Sequence, residues 1–458
     1  MQKETEQKKT RRSSQQDMLT GHPGRALIFF AVPMILGNLL QQFYNMADSV
    51  IVGRFVGEDA LAAVGASYSL TTVFIMIAIG GGVGASVIIS QYLGAGEYTK
   101  MRTAISTALI TFLAVSAVLA VIGLFANRTI LASLKTPENI LEDAVLYLNI
   151  YFLGLPFLFM YNVLSSIFNA MGKSNIPLYL LIFSTVLNII LDFVAVLVFE
   201  KGVAGVAVAT VFAQGLASVV SFLILLRRLR EYEEDEIPKK YDVAILKNMV
   251  KVAVPSIIQQ SIVSIGMLLV QSVVNGFGSS VVAGYSAGTR IESICIVPMI
   301  AMGNAISTFT AQNIGAGQTE RVKRGYRTAH LIIFAFAAAI CVTLLLLKKP
   351  IIAMFVGNNE TSLAFQTGIG YLSFIAYFFV FIGLKALTDG VLRGAGDVFV
   401  FTFANLCNLA VRVCISFLCA PIWGVQAVWY AIPLGWLTNY VMSFARYLTG
   451  KWERKKLI

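Results

Sequence analysis

Charge is the first thing this sequence lacks. Only 13% of its 458 residues are Asp, Glu, Lys or Arg, against 57% hydrophobic, and a water-facing surface cannot be built from so few charges. Intervals without any charged residue run from Ala26 to Ala47, Ala60 to Gly96, Thr103 to Asn127, Ala144 to Gly172, Gly202 to Leu226, Val252 to Thr289, Thr361 to Leu384 and Val413 to Ala445. Each can span a bilayer, since about 20 apolar residues are enough. The scarcity excludes a soluble enzyme, a nucleic-acid-binding protein and a disordered chain. The formal charge of +11 therefore reads as membrane topology rather than affinity for polyanions.

Groups that carry chemistry are equally sparse. The two histidines, His22 and His330, lie far apart along the chain, which argues against a metal or acid/base pair. Five cysteines, Cys295, Cys341, Cys407, Cys414 and Cys419, fall in apolar stretches without metal-ligand spacing, and an odd number does not make a disulfide framework. No Gly-x-x-x-x-Gly-Lys-Ser/Thr is present, so ATP does not drive this chain directly. Residues 1–24 are polar and Lys/Arg-rich, and the long apolar segment behind them ends in no small-residue cleavage site. They are expected to be a cytoplasmic tail rather than a signal peptide.

What is present is an all-α polytopic pattern. Dividing the apolar intervals at their Gly, Pro and charge clusters predicts twelve helices, numbered 1 to 12, over 25–52, 59–90, 102–126, 140–169, 176–199, 203–227, 245–275, 280–312, 322–347, 362–390, 397–419 and 423–447. With the N-terminus inside, the internal segments collect 26 Lys and Arg and the external ones 6. That asymmetry predicts two cytoplasmic termini and an even number of spans.

The chain also repeats. Gln91-Tyr-Leu-Gly-Ala-Gly96 returns as Gln312-Asn-Ile-Gly-Ala-Gly317 after 221 residues, and Ala31-Val-Pro33 returns as Ala253-Val-Pro255 after 222. Met171-Gly172 returns as Ala395-Gly396 after 224. An offset covering six helices makes two parallel six-helix lobes about an axis along the membrane normal, the body plan of an alternating-access transporter. The expected lobes are 25–227 and 245–447, with a cytoplasmic linker 228–244 and a C-terminal tail 448–458. The acidic run in that linker, Glu231 to Glu236, reads as a solvated loop.

Acidic residues inside spans are costly, about 2.5–3.5 kcal/mol on insertion scales, and mark ion or substrate handling unless paired. Asp48 near the outer end of helix 1 and Asp192 in helix 5 are two such residues. Asn188 shares a helical face with Asp192 at i, i+4, and Thr210 of helix 6 adds a hydroxyl. Two nearby carboxylates with amide and hydroxyl oxygens can hold Na⁺ or share a proton, and the sequence leaves both open. Lys385, Asp389 and Arg393 stand at successive i+4 steps in helix 10 and read as a structural charge ladder. Arg290, Glu292 and Arg412 each need a partner that the sequence does not name.

Several motifs together resemble a known family. They are Tyr44-Asn-Met-Ala-Asp-Ser-Val-Ile-Val-Gly-Arg54 followed by Ala60-Leu-Ala-Ala-Val-Gly65, the paired Gln-x-x-Gly-Ala-Gly loops, and Leu392-Arg-Gly-Ala-Gly-Asp397. In these the chain, over about residues 24–448, looks like the bacterial multidrug and toxic compound extrusion (MATE) family. The resemblance implies a secondary active exporter, not an enzyme, that antiports organic cations or amphiphilic drugs against Na⁺ or H⁺ without a cofactor. It implies a multi-pass monomer in the bacterial cytoplasmic membrane whose two lobes rock between outward-open and inward-open states. Asp48, Asn188, Asp192 and Thr210 match the cation-binding cluster of the DinF-like branch. The acidic residue that the NorM-like branch carries in helix 7 is missing, since Val252 to Thr289 holds Gln259, Gln260 and Gln271 but no Asp or Glu.

A family-type cleft would be lined by Gln41, Tyr44, Met46, Met160, Tyr161, Gln260, Met267 and Gln271. Rings, thioethers and amides suit flat organic cations. Two alternatives predict different patterns. A flippase for lipid-linked saccharides of the related superfamily would need a strongly cationic cleft, and only Arg290, Lys385 and Arg412 lie in spans. A polytopic membrane enzyme or scaffold would cluster His, Asp or Glu at one interface, or carry a large soluble module.

Overall fold

In a computed structural model, which describes residues 18–458 apart from 233 and 235, the chain is helical and no strand occurs among the described residues. The helices are α1 (Pro23–Ile51), α2 (Glu58–Ala95), α3 (Tyr98–Ser133), α4 (Glu138–Ala170), α5 (Asn175–Phe193), α6 (Gly202–Leu229), α7 (Val243–Asn275), α8 (Ser279–Gly315), α9 (Thr319–Val356), α10, α11 (Val398–Trp423) and α12 (Gln426–Leu448). α10 has two segments, Leu363–Ile375 and Phe379–Ala395, joined by a 3₁₀ turn at Ala376–Phe378. Each predicted span is matched by one helix. Several run on past the apolar interval, as α9 does through Lys348-Lys349-Pro350, because backbone hydrogen bonding continues where the polar interface begins.

The repeated motifs turn out to be helix ends. Gly96 and Gly317 take left-handed φ values of 74° and 72°. In both, the next amide reaches back to the last turn, Glu97 to the Tyr92 carbonyl at 3.1 Å and Gln318 to the Asn313 carbonyl at 2.8 Å. This is the glycine-terminated cap that orphan carbonyls require. Gly172 and Gly396 repeat it between α4 and α5 and between α10 and α11, at φ 75° and 91°.

Packing follows the same repeat. α2 lies against α4 as α8 lies against α10, α4 against α6 as α10 against α12, and α5 against α6 as α11 against α12. Twelve transmembrane helices therefore form two six-helix lobes related by a parallel repeat. In lipid, where apolar surface gives helices little reason to associate, close approach of small residues does the work. A Cβ on Gly84 would come within 2.6 Å of the Met249 carbonyl oxygen, and one on Gly303 within 2.7 Å of the Ala386 carbonyl oxygen.

By packing, the chain divides into two compact units. One is Leu36–Ile257; the other is Ile258–Ile458 with the N-terminal segment up to Ile35. The cuts fall two residues after Pro33 and two after Pro255, so the packing units differ from the repeat halves in the N-terminal stretches of α1 and α7. In the first unit, Phe74 meets Phe152 edge to face at 5.0 Å. The second has its largest fully buried rings at Trp452, Tyr371, Phe309, Phe379 and Phe401.

The linker is not simply a solvated loop. It lies along α3, where threonines four apart receive it. Thr99 donates to Glu234 at 2.6 Å, the Lys239 amide donates to Thr103 Oγ1 at 3.1 Å, and the Asp242 amide donates to Thr107 Oγ1 at 3.1 Å. Asp242 then caps α7, accepting from the Ala244 and Ile245 amides at 2.9 and 3.3 Å. Those two donors, with Lys239 adding less, hold its carboxyl below the ordinary value.

Candidate cation-coupling site

Three helices of the Leu36–Ile257 unit, α1, α5 and α6, bring the predicted cluster together. Asp192 on α5 is fully buried, Asn188 one turn earlier is 2% exposed, and Asn188 Nδ2 donates to Thr210 Oγ1 on α6 at 3.3 Å. Asp48, half-buried on α1, faces Asp192 at hydrogen-bonding range, and its Oδ1 is buried without a hydrogen-bond partner. Two carboxylates this close need a proton or a cation between them. The oxygens present are hard ligands that fit either Na⁺ or H⁺.

Two features of this pocket escaped the sequence reading. Tyr147 on α4 lies within electrostatic reach of both carboxylates, and nothing in Leu146-Tyr-Leu148 separates it from the other tyrosines. The second is local geometry. Beyond Asp48, α1 passes into a π-helical turn at Val52–Val56, and beyond Asp192, α5 passes into another at Val194–Val198. The two turns touch, and Phe55 and Phe193 meet edge to face at 5.7 Å. A π turn inserts a residue into the ladder and is frequent at functional sites; no composition signal announces it.

A model of the MatE family matches residues 33–194 and again residues 255–418. The chain belongs to the MatE family. The two matches begin at the repeated prolines Pro33 and Pro255, one match per half. Among curated relatives, the probable multidrug resistance protein YpnP of Bacillus subtilis (strain 168) is 30% identical over 443 residues, covering 96% of this chain and 98% of that one. The FAD transporter of Shewanella oneidensis is 24% identical, with 94% and 95% covered. An outward-facing multidrug resistance MATE family transporter of the MOP superfamily superposes with a TM-score of 0.84 at 24% identity, covering 97% and 98%. The protein is thus a multi-pass membrane transporter of the multidrug MATE family, not an enzyme.

The remaining candidates of this MatE protein are dispersed. Tyr44 belongs with the carboxylates rather than apart from them, since its hydroxyl meets Thr210. Tyr161 reaches Ser165 and Ser184, and Gln41 donates to Asn45 at 3.4 Å. Met46 is 58% exposed and Met160 half-buried. Gln260, Met267 and Gln271 belong to the other unit, where Gln271 donates to Asn275 at 2.9 Å.

In the charge ladder of α10, Arg393 lies within electrostatic reach of Asp389 but takes its hydrogen bonds elsewhere. Lys385 Nζ pairs with Asp389 at 3.2 Å, and Asp389 also accepts from Asn405 at 3.1 Å and Ser443 at 2.8 Å. Arg393 turns instead to α8, donating to Asn304 at 2.8 Å and Ser307 at 3.2 Å. Glu292 accepts from the Tyr371 hydroxyl, with Arg412 within electrostatic reach. Arg290 is exposed.

Proposed function

We propose that this protein is a secondary active exporter that moves organic cations or amphiphilic drugs outward against Na⁺ or H⁺, with Asp48 and Asp192 as the coupling pair, supported by Asn188 and Thr210. The observation that supports this reading most is the meeting of two carboxylates in one membrane-embedded pocket, with an unpartnered carboxylate oxygen on Asp48. A cation bound there in one state and released in the other links the two movements, because a ligand shifts a conformational equilibrium by its differential affinity for the states. The reading places both termini in the cytoplasm and has Gln41, Met46, Met160, Tyr161, Gln260, Met267 and Gln271 as cleft-facing contacts of the cargo.

Asp48→Asn tests it. Amidation removes one of two facing negative charges, so insertion and folding should be normal while gradient-driven export is lost. Asp192→Asn and Asn188→Ala should weaken export similarly. The assay is uptake of an organic cation into proteoliposomes under a Na⁺ gradient or a pH gradient imposed separately. Wild-type rates from Asp48→Asn under both gradients would sink the coupling pair.

A further inference from the structure

The two halves share a layout but differ in charge. Counting from the glycine turns Gly172 and Gly396, a shift of 224 residues carries Tyr147 to Tyr371, Asn188 to Arg412 and Asp192 to Ser416. The shift of 222 set by Pro33 and Pro255 carries Asp48 to Val270, and the shift of 221 set by Gln91 and Gln312 carries Thr71 to Glu292. Contacts support this correspondence. Tyr147 lies by the carboxylates of its half, and Tyr371 donates to the carboxylate of its own. Asn188 reaches α6 at Thr210; Arg412 packs on α12, its Cγ 2.6 Å from where a Cβ on Gly435 would sit.

Chemically the second pocket is inverted. Both carboxylate positions are lost, to Val270 and Ser416, and one acid has moved to α8. Glu292 is 9% exposed, and the titratable groups around it are Tyr285, Cys295, Tyr371 and Arg412. Arg412 makes no ion pair or hydrogen bond among the described residues, and Asn408 Oδ1, Arg412 Nε and Ser416 Oγ, four apart along one face of α11, are all buried without partners. Neither α7 nor α11 contains a π turn, unlike α1 and α5 where each leaves its carboxylate.

We infer that Arg412 is a resident cation: tethered in the repeat-related pocket, it supplies to Glu292 the positive charge that an exchangeable ion supplies to Asp48 and Asp192, so the driving ion binds in one half only. The inference rests on the proposed coupling role of Asp48 and Asp192. A carboxylate in a low-dielectric pocket must be neutralised by a proton, a bound ion or a fixed cation. A guanidinium does not lose its proton at any working pH and cannot leave. Two acids without a base call for an exchangeable charge; one acid and one guanidinium do not.

Equilibrium Na⁺ binding and proton release, measured on the full-length purified protein, separate the possibilities. Wild-type protein should show one class of cation sites, abolished in Asp48→Asn and unchanged in Glu292→Gln. Arg412→Gln should add a second bound cation per protein, and that gain should vanish in the double variant Arg412→Gln/Glu292→Gln. Arg412→Lys, which keeps a fixed charge, should bind as wild type does. Loss of a bound cation in Glu292→Gln, or no gain in a folded Arg412→Gln, overturns the inference. Should Arg412→Gln fail to fold, the Glu292→Gln count alone decides. Cation binding that survives in Asp48→Asn would instead overturn the coupling pair.

Discussion

Asp389 and Asp48 are both acidic residues within membrane helices, yet their surroundings assign them opposite consequences on mutation. Asp389 is held by a lysine, an amide and a hydroxyl, and the Lys385–Asp389 pair leaves side chains 11% and 6% exposed. Removing one partner of a buried pair typically costs about 3–5 kcal/mol, because the other charge is left uncompensated. Asp389→Asn should therefore lower the melting temperature in detergent and reduce membrane yield, whereas Asp48→Asn should melt as wild type does. Equal melting of both variants would contradict this assignment. The difference was only half legible in the sequence. Spacing of four residues placed Lys385 beside Asp389, as the structure has it, and acids in apolar runs singled out Asp48 and Asp192, which the structure brings together. Spacing could not foresee that Arg393 would prefer Asn304 and Ser307 on α8, nor that Glu292 and Arg412 would come into reach across 120 residues, since those contacts depend on how helices rotate against one another.

At the scale of elements, twelve helices were readable because apolar length is set by bilayer thickness, and their ends because glycine marks left-handed caps. The described acidic residues of the linker's Glu231 to Glu236 run are exposed, as its composition suggests, but the anchoring of the linker was not readable, because its partners are threonines on a different helix. Thr103 and Thr107 are nearly fully buried and accept the Lys239 and Asp242 amides. Valine at both positions keeps the shape and removes the acceptors. Each net hydrogen bond contributes about 0.5–1.5 kcal/mol, so Thr103→Val/Thr107→Val should raise the rate of tryptic cleavage after Lys239 and Lys240 roughly tenfold by easing local opening. The melting temperature should stay at the wild-type value, since the threonines stabilise the strap and not the bundle. Unchanged cleavage would mean that the linker is held by other contacts.

At the scale of the whole molecule, topology hinges on α12. Among the described residues, eleven helices are long and apolar enough to cross a membrane by length and composition alone, and Gln426–Leu448 is not one of them. Its sequence explains why. Trp429, Trp436, Asn439 and Ser443 dilute the apolar signal, yet all four are buried, and Ser443 donates to Asp389 at 2.8 Å. A helix surrounded by protein does not need a lipid-compatible surface, so hydropathy underestimates it. With α12 among the spans, the asymmetry of 26 internal against 6 external basic residues puts residue 135 outside and the linker and C-terminal tail inside. Single cysteines at Lys135, Lys240 and Lys455, all exposed, read this out in a background lacking the five native thiols. An impermeant maleimide on intact cells should label Lys135→Cys at once. Lys240→Cys and Lys455→Cys should react only after permeabilisation. Labelling of Lys455→Cys from outside, with Lys240→Cys still protected, would leave an odd number of crossings after the linker and remove α12 from the membrane. Labelling of Lys240→Cys from outside would invert the whole chain, and the coupling ion would then have to enter the Asp48 pocket from the opposite face.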